Sequence, residues 1–309
     1  MSASDTSQGS PRVYECVIGV YFAYASVLSV TLSYLSPEVR LRTLVVNGPL
    51  FALYLYVLRR ERSHPREWLV MVREWGALPL ALLAYKEMGW FAPQAHDYHL
   101  EMGWITIDRL VLRNWGLRAL IESVPLFPAL LQLCYVLVYA LPFFVVAMVY
   151  VYHRRESIDV LLTIYLLGLF LAYAQFPFWP SEPPRTVFPG DDAPAVQTLI
   201  SRLNLWMLGS YGIHTSVFPS AHVSGAFAAA FGIWDIFRDV RWLRWTALSY
   251  AVLIALSTVY GRYHYLVDAL AGLAMAIIAS LIGHWLLARR YGPRLMTSSR
   301  SGGTHRTLD

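Results

Sequence analysis

Residues 218–237 read FPSAHVSGAFAAAFGIWDIF, a short polar motif that continues into an almost wholly apolar run. Pro219 disfavours helical conformation in the residue before it, so the sequence predicts a helix that begins at Ser220 and is capped by it. The free amides in the first turn of such a helix attract anions, and His222 in that turn would face a bound anion. The alternative is an ordinary helix cap followed by a histidine at a membrane edge.

The rest of the chain has the composition of a membrane protein. Of its 309 residues, 57% are hydrophobic and 15% are charged, compared with about 45–50% and about 25% in soluble domains. The apolar residues form runs long enough to cross a bilayer as helices. The sequence therefore predicts an all-α, polytopic membrane protein with about eight transmembrane helices, at residues 13–35, 41–58, 68–85, 128–152, 158–177, 221–237, 245–261 and 264–288.

We expect one transmembrane catalytic domain over residues 13–290, because the predicted spans follow one another with short connections. The flanking segments, 1–12 and 291–309, are rich in Ser, Gly and Thr, and this composition predicts disordered tails. Cys16 and Cys134 both lie in apolar runs, so neither a disulfide framework nor a zinc site is expected.

The arginines indicate how the chain is oriented. They cluster after the second, fourth, sixth and eighth predicted spans, at positions 59–66, 154–155, 238–244 and 289–294. All four clusters lie on one side if every span crosses, and the positive-inside rule makes that side cytoplasmic. Both termini are then cytoplasmic, and the motifs lie on the periplasmic, extracellular or luminal face. The net charge of +5 is thus explained by topology, and nucleic acid is not an expected partner.

Residues 104–122 have apolar side chains at intervals of three or four, including Trp104, Val111 and Ala119. Arg109 and Arg113 fall on the opposite side of the same helix. This pattern predicts an amphipathic helix in the outer membrane interface. A helix packed against other loops of the protein would show the same pattern.

A second motif, His264-Tyr265-Leu266-Val267-Asp268, begins the last predicted span. On a helix, residues four apart share one face a turn from each other. A carboxylate at Asp268 that accepts a hydrogen bond from one ring nitrogen of His264 would leave the other nitrogen as a nucleophile or base. The alternative is a membrane-edge histidine that is satisfied by packing.

A proline-rich loop precedes both motifs. Pro177, Pro180, Pro183 and Pro184 predict a stiff, extended segment that holds Arg185 in place. A positioned guanidinium matches the geometry of phosphate oxygens. A lone arginine in a loop is more often solvated, so the functional interpretation of Arg185 depends on the other two motifs.

Together these three motifs resemble those of the type-2 phosphatidic acid phosphatase superfamily, which shares its core with vanadium haloperoxidases. Its motifs run Lys-x6-Arg-Pro, Pro-Ser-Gly-His and Ser-Arg-x5-His-x3-Asp, and the resemblance covers residues 175–272. The resemblance implies a six-helix core and a phosphohistidine intermediate, with His264 as the nucleophile and Asp268 orienting it. His222 would protonate the leaving alkoxide and later act as a base.

The same resemblance implies that Arg185, Ser220 and the backbone amides near Ala221 hold the phosphate oxygens, and that no metal or cofactor is required. Several positions depart from the superfamily pattern. Phe178 replaces the first-motif lysine and Thr258 the third-motif arginine, while Thr186 and Ala221 replace a proline and a glycine. Arg262, two residues before His264, is a candidate for the missing phosphate-binding cation.

These departures resemble the branch that contains inositol phosphorylceramide synthase. Pro183-Pro184-Arg185, the stretch from Pro219 to Gly225, and the stretch from His264 to Gly272 are similar to its motifs. The segment Ile107-Asp108-Arg109 resembles that branch less specifically. Such enzymes transfer the phosphoryl head group to a lipid hydroxyl instead of water.

The expected function is therefore a lipid phosphotransferase or phosphatase whose partners are a membrane lipid and, for transfer, a lipid alcohol acceptor. Three alternatives stay open. The chain could be a simple lipid phosphate phosphatase, or an inactive relative that only binds lipid phosphate. A proton-coupled transporter could instead use His222, His264 and Asp268 as a relay, although these groups cluster at one face and transport sites usually lie near the midplane.

Overall fold

The computed structural model describes residues 10–64, 66–93, 96–190 and 193–292, and all the regular structure in this part of the chain is helical. The helices are α1 (Val13–Thr31), α2 (Pro37–Ser63), α3 (Glu67–Phe91), α4 (His99–Arg109), α5 (Leu117–Ser123), α6 (Phe127–Leu137), α7 (Leu141–Val151), α8 (Ile158–Tyr173), α9 (Pro184–Val187), α10 (Leu199–Tyr211), α11 (Ala221–Ile236), α12 (Arg241–Tyr260) and α13 (Leu266–Tyr291). The all-α prediction is confirmed.

Six of the described helices are long and apolar enough to cross a membrane, and a seventh span results if α5 and α6, which meet at a bend of 102°, are counted together. The six are α1, α2, α3, α12, α13 and the segment Arg155–Tyr173, which contains α8. The prediction of a polytopic membrane protein is therefore confirmed, with fewer long spans than the eight expected.

The difference arises in two predicted spans. The chain does not continue as one helix over 128–152, because residues 138–140 form a turn between α6 and α7. The predicted span 221–237 corresponds to α11, which ends at Ile236, has 16 residues and is shorter than the six long spans. The third predicted span, 68–85, lies within α3. This helix has the length and hydropathy of a transmembrane helix although it carries charged residues.

The charged residues of α3 are accommodated by ion pairs with neighbouring helices. Arg73 donates to Glu15 of α1 at 2.5 Å and also pairs with Glu61 of α2. Glu74 accepts from Arg155 at 2.8 Å. Because buried charges are stable only when paired and hydrogen-bonded, these contacts explain how α3 keeps polar groups in an apolar segment.

Helix α8 lies at the centre of the core and packs against α1, α3, α11 and α13. Fourteen of its sixteen residues are buried, as expected for a helix that is apolar on every side. The alanine-rich α11 packs closely on α8 and is also enclosed by α12 and α13. This burial holds the first turn of α11 rigidly against the first turn of α13.

The ends of the helices divide into two groups. At one end, Arg154 after α7 donates to the carbonyl of Ile236 in α11 at 2.5 Å, and Tyr291 in α13 donates to Asp159 in α8 at 2.6 Å. The first turns of α11 and α13 lie at the opposite ends of their helices. The motif histidines are therefore separated from these arginine-rich connections by the length of the helices.

Candidate active site

The first turn of α11 has the cap that the sequence predicts. Ser220 is the N-cap residue, and its hydroxyl oxygen accepts a hydrogen bond from the Val223 amide at 3.4 Å. Ala221 begins the helix, and the half-buried His222 follows it in the first turn. The unpaired amides of this turn can receive a phosphate oxygen, since they carry the positive end of the helix dipole.

The start of α13 lies directly against the start of α11. Ser220 donates its main-chain N–H to the carbonyl of Asp268 at 3.0 Å. One turn later on α13, a Cβ atom on Gly272 would lie 2.5 Å from the Ser220 carbonyl oxygen. Only glycine permits this approach of the two backbones, which explains the glycine four residues after the motif aspartate.

His264 is held by the turn between α12 and α13. The carbonyl of Thr258 accepts from the amides of both Tyr263 and His264, at 2.9 and 3.1 Å. Asp268 is fully buried in the first turn of α13, where Oδ2 accepts from the Tyr265 amide at 2.9 Å. The helix begins at Leu266, so His264 precedes it instead of lying on it as the sequence predicted.

The side chains of Asp268, His264 and His222 form a line between the start of α13 and the start of α11. The Oδ2 atom of Asp268 lies 3.3 Å from Nδ1 of His264, and Nε2 of His264 lies 3.4 Å from Nδ1 of His222. Burial, with a smaller effect of the nearby Arg185 charge, lowers the pKa of His264 to about 3. Its ring is therefore neutral at pH 7, and with Nδ1–H directed at Asp268, Nε2 carries the lone pair of a nucleophile.

Arg185 lies beside this line of side chains. Residues 178–183 are non-helical, while Pro184–Val187 form a single helical turn where the sequence predicted an extended loop throughout. The Arg185 amide donates to the Arg262 carbonyl at 3.2 Å, and its guanidinium lies 5.8 Å from the centre of the Tyr263 ring. Its charge acts on both His222 and His264. The structure thus brings the first motif to the other two.

Arg262 has a buried ion-pair partner in α4. Its Nη1 atom donates to Oδ2 of Asp108 in α4 at 2.5 Å, and Oδ1 of Asp108 accepts from the Leu266 amide at 2.9 Å. The pair is almost fully buried. Asp108 therefore ties α4, through Nη1 of Arg262, to the turn that carries His264, whereas Nε and Nη2 of Arg262 are buried without a hydrogen-bond partner among the described residues.

The amphipathic segment predicted over 104–122 is helical but interrupted. It comprises α4, a π-helical turn at Leu110–Asn114 and α5. Trp104 stacks on Phe218 with 5.2 Å between ring centroids and also contacts Tyr265. The apolar side of α4 thus covers the two loops that enter α11 and α13.

Two residues next to the site were not predicted from the sequence. The Tyr139 hydroxyl lies 3.4 Å from Nε2 of His222, and the ring of Tyr135 lies 5.1 Å from the His222 ring. Both belong to the segment around the break between α6 and α7. Within a predicted apolar span, nothing in the local sequence distinguishes a tyrosine that faces the site from an aromatic residue that faces the membrane.

A cavity of about 400 Å³ adjoins Arg185 and is bounded by described residues of the segment that follows it, among them Phe188, Pro194 and Gln197. Its polar lining includes Arg262, Tyr263, Gln132 and Ser201. In the part of the chain that the structure describes, no group of three or more His, Cys, Asp or Glu side chains is placed to hold a metal ion. The space beside Arg185 is large enough to receive part of a substrate.

Comparison with known proteins identifies the family. The sequence profile described as the PAP2 superfamily matches residues 105–282, which include every motif residue described above. Over 83 residues the chain is 37% identical to a PA-phosphatase related-family protein of Dictyostelium discoideum, a match that covers 27% of this chain and 14% of that protein. No solved structure matches the chain. The chain belongs to the PAP2 superfamily, and this membership, with the likeness to the Dictyostelium protein, supports a phosphatase-type enzyme.

Proposed function

We propose that this member of the PAP2 superfamily is an integral membrane enzyme that cleaves a phosphoester of a phosphorylated lipid or lipid head group through a phosphohistidine on His264. The observation that carries the proposal is the line from Asp268 through His264 to His222, with Arg185 beside it. A neutral, oriented imidazole and an adjacent second imidazole are the nucleophile and the proton donor that this chemistry needs.

In the first step, Nε2 of His264 attacks the phosphorus atom. The bond between phosphorus and the leaving alkoxide oxygen breaks, and His222, which acts here in its protonated form, gives a ring proton to that oxygen and becomes neutral. Asp268 accepts the Nδ1–H of His264 and stabilises the positive charge that develops on the ring. Arg185 and the first-turn amides of α11 are placed to balance the charge on the phosphoryl oxygens.

In the second step, His222 takes the proton of an acceptor hydroxyl, whose oxygen attacks the phosphorus atom. The bond between phosphorus and Nε2 of His264 then breaks, and the free enzyme is restored. The acceptor is a lipid alcohol in a phosphotransferase and water in a phosphatase. The motif variants Phe178 and Thr258, which resemble the inositol phosphorylceramide synthase branch, favour transfer, and simple hydrolysis is the alternative.

Substrate binding requires one histidine ring to move. A separation of 3.4 Å between His222 and His264 leaves no room for a phosphoryl group between the two nitrogens. His264 is held by Asp268 and by the Thr258 carbonyl, whereas His222 is half-buried and its other nitrogen has only a long contact with Tyr139. His222 is therefore the ring that we expect to swing aside.

We further propose that the site opens to the periplasmic, extracellular or luminal side and that both described ends of the chain face the cytoplasm. The support is the separation of the two groups of helix ends. The connections that contain Arg154, Arg155 and Arg290 lie at one end, and the histidines lie at the other. Positive charge is retained preferentially on the cytoplasmic side of a membrane.

The test is incubation of the detergent-purified protein with ³²P-labelled phosphatidate and other labelled lipid phosphates, with and without a lipid alcohol. We expect a labelled lipid product when the acceptor is present, and label on the protein that is stable to base and labile to acid. His264→Asn should lose both signals. The matched control is His153→Asn, because His153 is exposed and lies at the opposite end of the helices. Full turnover by His264→Asn would exclude the mechanism.

A further inference from the structure

The resembled motifs carry a lysine at the position of Phe178 and an arginine at the position of Thr258. In this chain neither position supplies a hydrogen-bond donor to the site. Phe178 is 53% exposed, and the Thr258 hydroxyl donates to the Ala255 carbonyl within its own helix at 2.8 Å. Arg262 gives Nη1 to Asp108, and only its Nε and Nη2 atoms are without a partner among the described residues. A phosphoryl group bound beside Arg185 would therefore gain from further hydrogen-bond donors in the fold, because its oxygens carry charge that a dry site must balance.

Tyr135 of α6 has the burial and position of such a donor. Its side chain is fully buried, and its ring lies between the rings of His222 and Tyr263, with centroid separations of 5.1 and 4.1 Å. Its hydroxyl makes no well-formed hydrogen bond with the residues that the structure describes and interacts only with the hydroxyl of the partly exposed Tyr139. Buried hydroxyls are normally paired, so an unpaired one beside the catalytic histidines requires an explanation.

The surroundings of Tyr135 place its ring beside the phosphoryl site. Tyr263 lies next to both Tyr135 and Arg185, with 4.1 Å between the two ring centres and 5.8 Å from its ring centre to the guanidinium. The neighbouring Tyr263 hydroxyl, in contrast, already donates to Gln132 at 2.6 Å. When the His222 ring swings aside to admit a substrate, it moves off the face of Tyr135 and uncovers that residue.

We propose that the hydroxyl of Tyr135 donates a hydrogen bond to a non-bridging oxygen of the phosphoryl group bound at His264, and so is a catalytic residue of this site. The inference rests on the proposed function. A loose transition state spreads negative charge over the three equatorial oxygens of the transferred group. A neutral phenol aimed at one of them supplies a preorganised donor in place of a charged side chain.

The experiment is Tyr135→Phe, which removes the hydroxyl and keeps the ring. Loss of one preorganised donor to a transition-state oxygen should lower kcat by about 10²-fold or more. The affinity for orthovanadate, measured by its stabilisation of the purified protein, should fall about tenfold, in line with a lost hydrogen bond to a charged group. The Tm without vanadate should stay the same or rise, since no well-formed hydrogen bond is lost.

The matched control is Tyr14→Phe. Tyr14 is also fully buried with an unpaired hydroxyl, and it lies at the other end of the helices, where its amide donates to Asp159. Its removal should change neither kcat nor vanadate affinity. Wild-type kcat and vanadate affinity in Tyr135→Phe would overturn the inference, and so would a Tm below that of Tyr14→Phe.

The two proposals can fail separately. If His264→Asn abolishes phosphoenzyme formation while Tyr135→Phe behaves as wild type, the phosphohistidine mechanism stands and the role of Tyr135 is wrong. If the wild-type protein neither turns over lipid phosphates nor binds vanadate, the proposed function itself is wrong, and the role of Tyr135 with it.

Discussion

Ser220 donates its main-chain N–H to the main-chain carbonyl of Asp268 at 3.0 Å. This bond joins the turn that carries His222 to the turn that carries His264, although the two histidines are 42 residues apart in sequence. The distance between the histidines therefore depends on contact between two helix starts. Changes that separate the helix starts should affect catalysis even when they leave every polar side chain in place.

Gly272→Ala should be such a change. The added methyl group would lie 2.5 Å from the Ser220 carbonyl oxygen, a distance that requires backbone movement. We expect a loss of unfolding free energy of about 1–3 kcal/mol, the usual result of overpacking, together with a lower kcat. Thermal unfolding in detergent and lipid phosphate turnover would test this. Gly76→Ala is the control, because a Cβ there has nothing within 4 Å; equal behaviour of the two variants would contradict the close contact.

Asp268→Asn should reduce turnover with little change in stability. The amide oxygen of asparagine can still accept from the Tyr265 amide, but it cannot stabilise a positively charged His264 ring. By analogy with other carboxylate–histidine pairs, kcat should fall by about 10³–10⁴-fold. Steady-state kinetics and Tm together provide the check. A kcat within tenfold of the wild type would show that Asp268 does not orient the nucleophile.

Arg185→Gln and Arg262→Gln should have different consequences. Arg185 has its guanidinium over an aromatic ring, so its loss should leave Tm nearly unchanged while kcat/KM and vanadate affinity fall. Arg262→Gln removes the ion pair between Arg262 and the buried Asp108 carboxylate. Breaking a buried ion pair from one side costs about 3–5 kcal/mol, so the Tm should fall sharply. Similar Tm values for the two variants would show that the Arg262–Asp108 pair does not stabilise the fold.

Arg73→Met should destabilise the protein without altering the chemistry of the folded fraction. It leaves Glu15 and Glu61 buried with no ion-pair partner at Arg73, and the expected cost is again about 3–5 kcal/mol. The measurements are Tm and the kcat of the folded protein at low temperature. Arg59→Met is the control, since Arg59 is exposed. An unchanged Tm in Arg73→Met would contradict a stabilising role of the two ion pairs.

Much of the fold and of the candidate site of this protein follows from the local sequence. Runs of apolar residues determine that the chain is an all-α membrane protein, because a helix is the way a single segment satisfies its backbone in lipid. The cap at Ser220 and the adjacency of His264 and Asp268 also follow, since each depends on a few consecutive residues. These local rules were sufficient to select the candidate nucleophile, its orienting carboxylate and the second histidine.

Tertiary structure decided the rest. Arg262, a candidate phosphate ligand by sequence, pairs through one nitrogen with Asp108, which is 154 residues away. The break after α6 brings Tyr135 to the face of His222, although the sequence reads as one continuous apolar span there. Hydropathy and helical periodicity describe only the contact of each segment with its solvent. The packing of the helices against one another decides which charged groups form pairs and which tyrosine faces the site.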